Sequence, residues 1–114
     1  MTKKIKNLND SDMNALAEFS VIPLGVGVSL SPYVAECERI LQKRGIKHEL
    51  HASGTNIEGK WGELMEAIKE CQTRLHEMGV PRIQTSIKIS TRNDREQTMA
   101  KKVESVKEKL TKEK

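Results

Sequence analysis

Aromatic residues are scarce: Phe19, Tyr33 and Trp61 are the whole set in 114 residues, 3% of the chain. A platform that stacks unpaired bases needs several, so single-stranded nucleic acid is an unpromising ligand. The two cysteines, Cys37 and Cys71, are too few for a disulfide scaffold and lack CxxC spacing; both fall on apolar stripes, which reads as buried free thiols. No apolar run approaches the ~18 residues of a membrane span. The longest, Val21 to Leu30, is broken by Pro23, Gly25 and Gly27. The opening MTKKIKNLNDSD contains no apolar stretch like that of a secretory leader, so a cytoplasmic location is expected.

Motifs of established chemistry are missing too. Gly25-Val26-Gly27 lacks the third glycine of a dinucleotide loop, and the helix after it begins Ser31-Pro32 rather than with the lysine of a phosphate loop. His48 and His51 stand three apart on a strand, where alternation sends them to opposite faces; with no HExxH and no paired cysteines, no metal site is expected. His76 falls late in a helix and reads as a helix-end group. No serine or cysteine stands out beside an oriented base, so no catalytic residue is assigned.

The chain is polar, with a mean hydropathy of −0.59 and 32% charged residues. Twenty basic residues against sixteen acidic give a net charge of +4. Much of the excess sits at the ends. Lys101, Lys102, Lys107, Lys109, Lys112 and Lys114 are interleaved with Glu104, Glu108 and Glu113, the pattern of a solvated helix face, and no nucleic-acid partner is expected.

One domain is expected over residues 14–114, after a frayed tail at 1–13. Ala15 to Pro23 reads as a strand, ended by Pro23-Leu24-Gly25. Ser31 as N-cap and Pro32 at the first helical position open a helix to about Arg44, where Gly45 closes it. Ile46–Ala52 and Thr55–Glu58 read as a hairpin about Ser53-Gly54. A second helix starts near Lys60, with Trp61, Leu64, Met65, Ile68, Cys71, Leu75 and Met78 on one face. Arg82 to Thr91 alternates Ile83, Thr85, Ile87 and Ile89 against polar residues, a half-buried strand. A last helix is expected from about Asp94 to Thr111.

The order β-α-β-β-α-β plus a C-terminal helix predicts an α+β fold, the ferredoxin-like sandwich of two helices on one face of a four-stranded antiparallel sheet. The first strand is apolar on both faces, Phe19 and Val21 on one, Leu16 and Ile22 on the other. Helices cover only one. The second must be covered by the last helix, by another subunit, or by both, so association through the sheet is expected. One polar cluster, His51 to Trp61, gathers hydroxyls, an imidazole, a carboxylate and two glycines. A tight turn leading into a helix accounts for it; so does a binding site.

FSVIPLG at 19–25, SLSPYV at 29–34, SGTNIEGKW at 53–61 and IKISTR at 87–92 together resemble the thiamine-binding protein family, which includes the two-domain YkoF-type binders of thiamine and hydroxymethylpyrimidine. The resemblance spans about residues 15 to 112. It implies a ferredoxin-like fold, homodimers or homotetramers built through the sheet, and a ligand pocket for thiamine or its hydroxymethylpyrimidine moiety rather than a reaction centre or a resident cofactor. Carried over by motif, the ligand-contacting positions are Val21, with Ser20 beside it, and Ser53, directly before Gly54 and Thr55. Alternation allows only one of Ser20 and Val21 to make contact through its side chain. Glu58 could accept a hydrogen bond from the pyrimidine amino group, with His51 in contact or just behind. The other reading is a ligand-free regulatory or assembly module that oligomerises through its sheet face.

Overall fold

The computed structural model describes residues 13–95 and 98–112. The expected tail at 1–13 therefore lies outside the described residues, except for Met13. Seven elements follow in order: β1 (Asn14–Leu24), α1 (Ser31–Arg44), β2 (Lys47–His51), β3 (Gly54–Lys60), α2 (Trp61–Glu77), β4 (Arg82–Thr91) and α3 (Met99–Lys112). The strands form one sheet in the order β2-β3-β1-β4 with every pair antiparallel. This is the ferredoxin-like α+β sandwich with an added C-terminal helix.

Alternation along β1 builds the core. Ala15, Ala17 and Phe19 are buried with Pro23, while Leu16, Glu18, Ser20 and Ile22 take the other face. Onto the first face α1 lays Cys37, Ile40 and Leu41, and α2 lays Leu64, Ala67, Ile68, Cys71 and Leu75. Ile46, Ile57 and Val80 complete the cluster. Leu41, Ile57, Leu64 and Leu75 are fully buried. Truncating any one to alanine costs about 2–5 kcal/mol.

The helix ends show where local chemistry and packing part. At the start of α1 the N-cap is Leu30, not Ser31: its carbonyl accepts from the Tyr33 and Val34 amides at 3.0 and 3.1 Å, and no side chain caps the helix. Ser31 is instead helical, alongside Pro32 in the first turn. At the far end Gly45 adopts φ 69°, and the Gly45 and Ile46 amides turn back to Gln42 and Leu41. In the last turn of α2, His76 Nδ1–H donates to the Val80 carbonyl at 2.8 Å.

The last helix starts later than expected. Asp94 takes two hydrogen bonds from Arg92, at 2.6 and 2.8 Å, which hold the preceding loop instead of opening a helix. The Thr98 hydroxyl caps the true start by accepting from the Lys101 amide at 3.1 Å. Helix α3 buries no residue along its length, and Val103, Val106 and Leu110 are exposed. Its first residue is fastened to the sheet: the Met99 amide donates to Glu58 Oε1 at 2.9 Å.

Candidate functional site

A cleft of about 260 Å³ opens on the helix-covered side of the sheet, where β1 nears its end and the β2–β3 hairpin turns. Its floor is Phe19 to Ile22, one wall is Leu50 to Thr55, and the roof is Leu30, Val34, Cys37 and Glu38 of α1 and the residue before it. Register decides which side chains enter. Phe19 pairs with Thr55 and Thr55 with Leu50, so these three share the helix side with Val21. Ser20 and His51 project to the opposite face, leaving their backbone as the lining. Val21 is thus the side-chain contact of the Ser20–Val21 pair.

Against these apolar walls stands one ionisable side chain, Glu38. It comes from the buried stripe of α1, one turn beyond Val34, and its side chain is 19% exposed. The Thr55 hydroxyl, itself buried, donates to Glu38 Oε2 at 2.7 Å. Glu38 Oε1 lies 3.8 Å from His48 Nε2. His48 Nδ1 is 2.7 Å from the Ile46 carbonyl, an acceptor, so that nitrogen carries the proton.

The hairpin turn is held from the other face. His51 Nδ1 accepts from the Ser53 amide at 3.3 Å. Its Nε2–H is then directed at Asn56 Oδ1, 3.1 Å away, and at Glu18 Oε2, 3.2 Å away. Both ring nitrogens are used, and the imidazole acts as a brace behind Ser53. Gly54 is needed for close approach: a Cβ there would stand 2.9 Å from the Phe19 carbonyl oxygen.

Six residues singled out from sequence line this cleft: Ser20, Val21, His51, Ser53, Gly54 and Thr55. Glu58 does not. Three positions after Thr55, it faces the open side of the sheet, where it accepts from Met99 and lies 3.9 Å from Lys47 Nζ. The sequence reading missed Glu38, although an acidic residue between Cys37 and Leu41 on a buried stripe is a signal in itself.

Cys37 and Cys71 are buried and unlinked. The Cys71 thiol points at the Cys37 carbonyl, 3.9 Å away. Its hydrogen bonding with Cys37, followed by burial, raises its pKa above the usual thiol range. Among the described residues no group of three or more His, Cys, Asp or Glu is arranged to hold a metal ion. None of the described helices is long and apolar enough to cross a membrane.

A family profile described as thiamine-binding protein matches residues 17–107, which takes in the entire cleft. The chain belongs to the thiamine-binding protein family. A UPF0045 protein of Synechocystis is 51% identical over 94 residues, covering 82% of this chain and 78% of its own. A UPF0045 protein of Eremothecium gossypii is 36% identical over 102 residues, 89% of this chain and 97% of its own. Among solved structures, the Methanocaldococcus jannaschii protein MJ1052 superposes with a TM-score of 0.78 at 36% identity, covering 84% of this chain and 98% of that one. A Thermotoga maritima protein, provisionally named for thiamine biosynthesis or salvage, superposes with a TM-score of 0.68, covering 82% and 98%; at 22% identity it bears on the fold alone. The family takes its name from binding and not from a reaction.

Proposed function

We propose that this member of the thiamine-binding protein family is a non-catalytic binder of thiamine or its hydroxymethylpyrimidine moiety, and that the ligand sits between α1 and the β2–β3 turn. The observation that carries this reading is the meeting, in one cleft, of apolar side chains with a lone carboxylate: Val21, Val34 and Leu50 around Glu38. A pyrimidine needs that combination, apolar surface for its two ring faces and fixed polar groups for its edge. The cleft volume is close to the ~300 Å³ lower bound of small-molecule sites, which favours the pyrimidine half as the buried part. The net charge of +4 gives the cationic thiazolium no long-range attraction, so the isolated pyrimidine is as suitable a ligand as the vitamin.

The binder acts as a homodimer or homotetramer in this reading. Ile22 and Leu24 are exposed on the open side of the sheet, and Val103, Val106 and Leu110 are exposed along α3. A second copy covering these surfaces removes the apolar area from water. The same surfaces support the alternative, an assembly module without a small ligand.

Isothermal titration with thiamine, hydroxymethylpyrimidine and thiamine phosphate, with light scattering on the same sample, separates the two. Saturable micromolar binding at one ligand per subunit, about −8 kcal/mol, supports the binder. A stable oligomer that gives no heat with any of the three supports the assembly module.

A further inference from the structure

Resting on that binding reading, we infer that Glu38 is the specificity-determining residue of the cleft and that it selects a flat ring whose edge carries an amino donor, rejecting the isosteric ring that carries a carbonyl there. The two oxygens of this carboxylate are not equivalent. Oε2 is anchored by Thr55 at 2.7 Å, which fixes the plane of the group. Oε1 has no hydrogen-bond donor among the described residues. Its polar neighbour is His48 Nε2 at 3.8 Å, beyond hydrogen-bond distance, and the ring is held by its other nitrogen, whose N–H faces the Ile46 carbonyl. A carboxylate oxygen that is partly withdrawn from water and lacks a donor is a standing demand for an N–H group.

The surroundings sharpen that demand. Leu30, Val34 and Leu50 line the same cleft, so an N–H···O⁻ bond formed there is less screened than one in open water. An amino group answers it, and a protonated ring nitrogen beside the amino group adds charge. A carbonyl oxygen in the same place meets Oε1 lone pair to lone pair. Thr55 is a positioning residue, since its hydroxyl proton is already committed to Oε2.

The test compares 4-amino-5-hydroxymethyl-2-methylpyrimidine with its 4-oxo counterpart, by titration calorimetry, on the wild type, Glu38→Gln and Thr55→Val. A site built around a ligand N–H discriminates strongly against the analogue lacking it, so the wild type should prefer the amino compound by about a hundredfold. Glu38→Gln should bind the amino compound at least about tenfold more weakly and bring the preference close to one, because its amide can donate to the carbonyl. Thr55→Val should fall between them. Glu58→Gln, remote from the cleft, should keep the wild-type preference. Thermal melts establish that each variant is folded.

A wild-type preference near one overturns the inference without reference to any variant. So does a folded Glu38→Gln that binds the amino compound as tightly as wild type, and in both cases the proposed function stands. Absence of binding by wild type to either compound overturns the inference; if thiamine and thiamine phosphate also give no heat, the binding reading falls with it.

Discussion

Thr55 on β3 and Glu38 on α1 are joined by a hydrogen bond of 2.7 Å that ties the sheet to the helix at the wall of the cleft. Thr55 is 4% exposed, so the bond forms where water competes poorly. Thr55→Val preserves shape and removes the donor, leaving Glu38 Oε2 without its partner. We expect a loss of about 1–2 kcal/mol in chemical denaturation, and most of it restored in Thr55→Ser. An unchanged midpoint for the valine variant would show that water replaces the hydroxyl.

Gly54 makes room for the strand beside it. Its missing Cβ would lie 2.9 Å from the Phe19 carbonyl oxygen, a backbone atom with no freedom to step aside. Gly54→Ala should therefore push β1 and β3 apart at the cleft and cost about 1–3 kcal/mol. The melting temperature reads this directly.

Thr85 offers a gain. Its hydroxyl oxygen is buried without a hydrogen-bond partner on the face that β4 shares with Val21. Thr85→Val keeps the branched shape that strands favour and removes the unsatisfied group. Stability should rise by about 1 kcal/mol, measured as a shift in urea midpoint at constant slope.

Asp94 supplies a pH signature. Hydrogen bonds from Arg92 hold its carboxyl well below the ordinary 3.8, at about 2. Because the folded value is the lower one, the pair stabilises the protein fully above the unfolded pKa and loses that contribution as pH falls through about 2. Carbon-detected NMR should find the Asp94 midpoint near 2, and Arg92→Ala should return it toward 3.8. A midpoint indifferent to Arg92 would show that the guanidinium is not what lowers it.

The architecture is legible in the sequence because each strand and the two core helices carry their own periodicity. Alternation places the first strand at Ala15–Pro23, and Asn14–Leu24 is observed. What escapes are facts settled by distant partners. Asp94 looks like a helix opener until Arg92 claims it. Glu58 looks like a neighbour of Ser53 and Thr55 in the chain. Counting alternation forward from Thr55 already sends it to the other face, where α3 takes it up. Glu38 is the reverse case, 17 residues from Thr55 in sequence and joined to it only by folding.

Every residue that lines the cleft falls between 19 and 55. Helix α2 and β4 contribute none, while α2 alone supplies five of the buried core residues. The polypeptide is divided in its duties along its length. Substitutions at the cleft-lining positions can retune what is held, whereas those in α2 act first on whether there is a scaffold to hold it. A diversified library confined to the cleft-lining positions of the hairpin and α1, sparing Ile40, Leu41 and Ile57, would explore new ligands on an unaltered foundation.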